Sequence, residues 1–424
     1  MHAPVISPAR SLGLVSGTAM VIASMIGTGV FTTSGFLLAD LQSPWLVLLA
    51  WFIGGLLAMF GALSYGALAR HIPESGGEYI FLSRTVHPSA GYIAGWISLL
   101  VGFSAPMAAA AYGFGEYTKS WFPGMAPKAT GSWLILLFCF LHAAHVPSGA
   151  RIQNATVILK VALILLFLAF AFPRLNHFPA ETFSGAGLPS FGVSLVWISF
   201  CYSGWNAAVY IGSEMKEPEK TLPLSLVLGT GVVIALYLAL NAAFLFSTPA
   251  ENLVGKLEIG RIASSALGGP LWAESLTLLI ALALATSVSS MMMAGPRVYA
   301  RMAGDGYLPS WMAPSAGPPR AAIFFQCLVA LLMLWTATFQ SLLTYIGFTL
   351  GLSTAATVVG LLRLKAQQQD KLPVAGWPIV PILFLFGVLG ITGFSIAQRP
   401  VESAFGLLTI AIGWLAWRVT GKTT

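Results

Sequence analysis

Apolar runs of about 20 residues recur along this chain, and about 20 is the length a helix needs to cross the hydrocarbon core of a bilayer. A pass along the sequence places about twelve of them, near 13–36, 45–69, 90–113, 131–147, 154–172, 191–212, 224–247, 271–296, 321–337, 342–362, 376–396 and 403–417. A bilayer core offers no water to unpaired peptide groups, so runs of this kind span it as helices. The composition agrees: 57% of residues are hydrophobic and 8% charged, against about 25% charged in an ordinary soluble domain. The expected fold class is an all-α polytopic membrane protein with about 12 transmembrane helices in a single transmembrane domain over 1–424. No cleavable signal peptide is expected, because the first run is too long and no small-residue cleavage site follows it.

Lys and Arg set the orientation. Twelve crossings with the N-terminus inside put Arg10, Arg70, Arg84, Arg151, Lys216, Lys220, Arg297, Arg301, Arg320, Arg363, Lys365, Lys371, Arg418 and Lys422 on inner segments. The outer loops keep Lys119, Lys128, Arg174, Lys256, Arg261 and Arg399, and Lys160 is left inside a span. Both termini are therefore expected in the cytoplasm, in a bacterial inner membrane. The net charge of +7 follows from this bias and argues against a nucleic-acid partner.

Two spots break the apolar pattern at mid-membrane. The first span reads Ser24-Met25-Ile26-Gly27-Thr28-Gly29-Val30-Phe31, and the sixth reads Phe200-Cys201-Tyr202-Ser203-Gly204-Trp205-Asn206. They lie five spans apart, the pattern expected of a five-plus-five inverted repeat, roughly 13–172 and 191–362, in which each half opens with a broken helix. Two additional helices, roughly 376–417, complete the chain. A break in a helix frees N–H and C=O groups that are tolerable only where they line a polar cavity. Such a cavity suits a zwitterion, with a carboxylate at the positive end of the second half-helix and an ammonium at the carbonyls that end the first. Taken singly, each motif also fits close helix packing through small residues. A nucleotide-binding loop does not fit, since no strand precedes the glycines.

These residues also carry a family resemblance. IGTGVF in the first span, IPESGGEYIFL after the second, YSGWNAAVYIGSEMKEPEKTLP leaving the sixth and GPRVYARMAGDGYLP after the eighth together resemble the amino acid-polyamine-organocation (APC) superfamily, and most closely its L-type amino acid transporter branch. The resemblance covers most of spans one to eight. It implies a LeuT-like fold that moves amino acids by alternating access. It also implies a substrate site around Met25, Ile26, Gly27, Thr28 and Gly29, with the N–H groups of Thr28 and Gly29 on the carboxylate. The carbonyls of Met25, Phe200 and Ser203 would receive the amine. Phe200 matches the aromatic that closes over substrate, while Cys201, Trp205 and Asn206 fall in or beside the pocket. The family often has an acidic residue at the end of span two; Ser64 to Ala69 contains none.

Lys160 lies within TVILKVALILL in the fifth span. A charge there costs at least a few kcal/mol, so it should face the interior and find a partner or give up its proton. In sodium-independent relatives a lysine at the matching place occupies the site where sodium would bridge spans one and eight. Thr286, Ser287, Ser289 and Ser290 are the hydroxyls that span eight offers, with Ser287 and Ser290 taken as coupling partners. The expectation is that Lys160 replaces sodium and couples transport to protons.

No Asp or Glu lies deep in any span, with Glu274 near the outer end of span eight and Glu116 after span three. A cationic side chain would then lack an acidic partner, and an anionic one would meet only Lys160. The expected function is a sodium-independent secondary transporter of neutral L-amino acids, with apolar pocket walls from Cys201, Ala207, Met107 and Phe348. An exchanger or exporter of charged substrates is the alternative. A channel would need a repeated carbonyl-rich filter or rings of charge, and neither is visible. An intramembrane enzyme would need a nucleophile with its base or a metal-binding motif, and the chain shows none. Cys139, Cys201 and Cys327 sit in apolar runs, which indicates neither disulfides nor a thiolate metal site. His142 and His145 share a helix face without a third ligand, so no metal or cofactor is expected. Homo-oligomerisation is left open.

Overall fold

The computed structural model describes residues 12–144, 149–178, 187–313, 318–368 and 373–420. Fifteen α-helices follow in order: α1 (Leu14–Met25), α2 (Gly29–Leu41), α3 (Pro44–His71), α4 (Glu78–Thr85), α5 (Pro88–Ile97), α6 (Ala105–Tyr117), α7 (Pro127–Ala143), α8 (Gly149–Ala171), α9 (Leu188–Tyr202), α10 (Pro218–Leu245), α11 (Ile259–Gly304), α12 (Arg320–Thr336), α13 (Phe339–Gln368), α14 (Ile379–Gln398) and α15 (Pro400–Thr420). No strand occurs among the described residues; the one isolated β-bridge pairs Leu12 with Met215.

Among the described residues, nine helical segments are long and apolar enough to cross a membrane. Two of them are composite: Leu14–Leu41 joins α1 and α2, and Pro88–Tyr117 joins α5 and α6. Three of the expected spans correspond to shorter helices, α7 with 17 residues, α9 with 15 and α12 with 17. In α9 the shortfall has a local cause, since the helix stops where Ser203 and Gly204 leave helical geometry. The chain is thus an all-helical, polytopic integral membrane protein.

Local sequence explains several element ends. Ser43 caps α3, its hydroxyl accepting from Leu46 N–H at 3.4 Å, and Pro44 follows at the first position, where a missing N–H goes unneeded. Between α5 and α6 the ladder widens into a π-turn over Ser98–Ser104. Pro106 lies just beyond and has no N–H for the Gly102 carbonyl four residues back. Insertions of this kind gather at functional sites, and Ser98, Gly102, Phe103 and Pro106 all face the central cavity.

α1 and α2 run through the middle of the bundle. α1 packs against α8, α10 and α11, and α2 against α9. At one end, Lys119 Nζ lies 2.5 Å from Glu258 and 3.5 Å from Glu116, while Arg261 pairs with Glu274 at 2.8 Å. The Gly255 N–H donates to the Gly35 carbonyl at 2.7 Å, which seats the segment after α10 on α2. At the other end, Leu12 exchanges backbone hydrogen bonds with Glu214 and Lys216, and the Tyr79 hydroxyl donates to Asp305 at 2.6 Å.

Candidate functional site

Both suspected breaks are broken helices. α1 ends at Met25; Ile26 has φ −74° and ψ 86°, and the Gly27 N–H turns back to the Met25 carbonyl at 2.8 Å. α2 restarts at Gly29, and its first N–H groups have no acceptor within the helix. α9 ends at Tyr202, Ser203 is extended (φ −55°, ψ 147°), Gly204 has φ +99°, and a 3₁₀ segment Ala207–Glu214 takes over.

The two breaks lie against each other, and glycine is what lets them. A Cβ on Gly204 would stand 2.8 Å from the backbone of Ser24, and one on Gly29 would stand 2.4 Å from Cys201 Sγ. Real Cβ atoms do not approach that closely, so any larger residue would push the halves apart.

Three side chains from neighbouring helices hold the freed carbonyls. Lys160 Nζ on α8 donates to the Ile26 carbonyl at 3.0 Å, and Ser287 Oγ on α11 donates to the same oxygen at 3.1 Å. Lys160 is 5% exposed, so its ammonium faces the interior as a charge in a span must. The Tyr237 hydroxyl on α10 donates to the Met25 carbonyl and lies 3.1 Å from the Cys201 carbonyl, so one phenol touches both breaks. Of the other hydroxyls considered on α11, Thr286 bonds back to Ala283, Ser289 meets His142 Nε2 at 2.9 Å, and Ser290 faces the cavity. His145 lies outside the described residues.

A cavity of about 130 Å³ opens beside the breaks. Of the candidate residues, Phe200, Ser203, Trp205, Asn206, Ser287 and Ser290 line it. Met25, Ile26, Gly27, Thr28, Gly29 and Cys201 do not line it, whereas Ser24 and Gly204, which pack against each other, do. The apolar walls are Leu57, Phe103, Met291, Ile346, Leu350 and Phe384. Ala207 does line the cavity, but Cys201, Met107 and Phe348 do not, which corrects the wall expected from sequence. Cys201 turns to Thr33, with Sγ and Oγ1 3.3 Å apart, and Phe348 packs where Gly406 leaves room.

One residue of the site escaped the sequence reading. Glu78, 4% exposed, lines the cavity, and its carboxylate accepts from Tyr65 Oη at 3.0 Å and from Asn206 Nδ2 and Tyr210 Oη. It opens α4, where the helix dipole favours a carboxylate. The expectation that a cationic side chain would find no acid is therefore corrected. The signal was present in SGGEYIF: two glycines, both at positive φ, fold the connection after α3 back under the cavity.

Comparison with known protein families then decides what kind of molecule this is. A family model described as amino acid permease matches residues 12–417. The chain belongs to the amino acid permease family. Among similar proteins, the large neutral amino acids transporter small subunit 2 of Homo sapiens is 28% identical over 95% of this permease and 79% of its own length. The serine/threonine exchanger SteT of Bacillus subtilis is 27% identical over 94% of both chains. The cystine/glutamate transporter of Homo sapiens is 25% identical over 95% of this permease and 84% of its own length. The permease is thus a transporter and not an enzyme, and among its described residues no three His, Cys, Asp or Glu side chains gather in a way that could hold a metal.

Proposed function

We propose that this permease carries neutral L-amino acids by alternating access, as a sodium-independent exchanger or carrier, with a LeuT-like core of two inverted repeats, roughly 13–172 and 191–362, and two further helices. Both termini lie in the cytoplasm of the bacterial inner membrane, in keeping with the inner bias of Lys and Arg. The observation that carries the reading is the packing of two unwound segments against each other, beside a cavity lined by the last turn of α1 and by the second break. Peptide groups freed in this way fit a zwitterion. The N–H groups of Thr28 and Gly29 hold the substrate carboxylate, and the carbonyls at Met25, Phe200 and Ser203 face its amine. These groups become available when the contact between Ser24 and Gly204 opens.

Sodium independence is supported by Lys160, whose Nζ stands between the first and eighth spans at the Ile26 carbonyl that Ser287 also holds. An amine already held there occupies the place of a bound sodium ion. Protons remain the candidate coupling ion. Neutral substrates are supported by the apolar walls. Counterflow of labelled neutral L-amino acids in proteoliposomes tests the reading. Saturable uptake against unlabelled internal amino acid, unchanged when sodium is replaced by choline, is expected. Uptake that requires sodium, or that never saturates, contradicts it.

A further inference from the structure

The seat proposed above is built from backbone groups, and it leaves one charged side chain in the cavity without a role. Glu78 is fully hydrogen-bonded, but Tyr65, Asn206 and Tyr210 are neutral donors, so its charge is satisfied without being cancelled. No ion pair to Glu78 occurs among the described residues. No Lys, Arg or His lines this cavity, and the ammonium of Lys160 is turned to Ile26. Among the described residues, Glu78 is therefore the one carboxylate on the cavity wall, with no cation on that wall to offset it.

The carboxylate is also fixed in place. A Cβ on Gly77, which has φ +56°, would stand 2.3 Å from the ring of Tyr210, so the chain before Glu78 is pressed against the 3₁₀ segment. Ser75 and Ser213 exchange hydrogen bonds at 2.9 Å in both directions and hold the same two segments together. Asn206 links the charge to the substrate seat, since it belongs to the second break and its amide touches Glu78. A substrate side chain that extends along this wall past Asn206 approaches a carboxylate held in place by three donors.

We propose that Glu78 is the specificity-determining residue that excludes amino acids with anionic side chains, while neutral and cationic side chains are admitted. Two like charges a few ångströms apart in a site of low dielectric disfavour occupancy by roughly a hundredfold or more. The three neutral donors are already committed to Glu78 and do not turn to screen a second carboxylate. The proposal rests on the reading of this cavity as the amino acid seat.

The test is competition of counterflow by near-isosteric pairs, asparagine with aspartate and glutamine with glutamate, in proteoliposomes of the full chain. In the wild type the amides are expected to compete at concentrations about a hundredfold lower than the acids. Glu78→Gln should bring that ratio within tenfold, and Glu78→Asp, which keeps the charge, should preserve it. Acids that compete as well as amides in the wild type, or a ratio unmoved in Glu78→Gln, overturn the proposal. Should Glu78→Gln fail to fold, the wild type decides with 2,4-diaminobutyrate, the cationic analogue. The order diaminobutyrate and asparagine well ahead of aspartate supports the proposal, and equal rejection of both charged analogues overturns it. Absence of counterflow for every amino acid would instead fail the reading of the cavity itself.

Discussion

Replacing Lys160 removes a hydrogen bond from a charged donor to the Ile26 carbonyl, 3.0 Å long and buried at the first break. Bonds of this type contribute about 1.5–3 kcal/mol, which at about 1.4 kcal/mol per decade is ten- to roughly a hundredfold in any equilibrium the bond supports. The Ile26 carbonyl keeps Ser287 as a donor at 3.1 Å, so the variant does not leave an orphaned acceptor. A neutral hydroxyl contributes about 0.5–1.5 kcal/mol, which places Ser287→Ala at roughly two- to tenfold. Initial counterflow rates should therefore fall about ten- to a hundredfold in Lys160→Ala and less in Ser287→Ala. Fold stability should move differently. Lys160→Met fills a similar volume without the charge, and a charged side chain inside a span costs about 2.5–3.5 kcal/mol. A variant that melts at or above the wild-type temperature yet transports poorly would locate the lysine's role in the cycle. Transport by Lys160→Ala that keeps both its rate and its pH profile would refute the reasoning.

Further outcomes follow from contacts already described. Gly29→Ala drives a methyl to 2.4 Å from Cys201 Sγ and 2.8 Å from Cys201 Cα; overpacking of this kind costs about 1–3 kcal/mol, so thermal stability and counterflow should both drop. Truncating Cys201 to Gly should rescue it only in part, because the backbone contact remains. At the far end of the bundle, the hydrogen bond to Glu258 holds the Lys119 ammonium above its ordinary value of 10.5. A raised value means that the pair's contribution is present below 10.5 and is lost as pH climbs through the higher folded value. Lys119 is half exposed, so that contribution is at most about 1 kcal/mol and screened by salt. Lys119→Ala should lower the melting temperature slightly at pH 8 in low salt, with the difference vanishing in high salt. A difference that persists in high salt contradicts this account.

Much of the fold was legible because the bilayer narrows the choice to helices, and a long apolar run declares itself. The breaks were legible for a related reason: glycines beside small polar residues in mid-span contradict what a lipid-facing helix needs. IGTG and YSGWN both proved to be unwound where that conflict was sharpest. Lys160 stood out as the lone charge in its run, but its acceptor is a carbonyl of a distant helix, which spacing along the chain does not reveal. Helix length was legible less well, since α7, α9 and α12 are shorter than a window of about 20 residues suggests. Glu78 and Tyr237 went unread for opposite reasons. Glu78 sits in a polar connection that looks solvated until the chain folds back under the cavity. Tyr237 looks like one more aromatic in an apolar helix, and only the packing of α10 against α1 brings its hydroxyl to both breaks.

The central claim is that the two unwound segments together seat the substrate. An experimental density map of the permease bound to a transported amino acid tests it most directly. The account predicts a carboxylate within hydrogen-bond distance of the Thr28 and Gly29 N–H groups, an ammonium at the carbonyls of the two breaks, and Ser24 separated from Gly204. An amino acid bound elsewhere, with Ser24 and Gly204 still in contact, would contradict it.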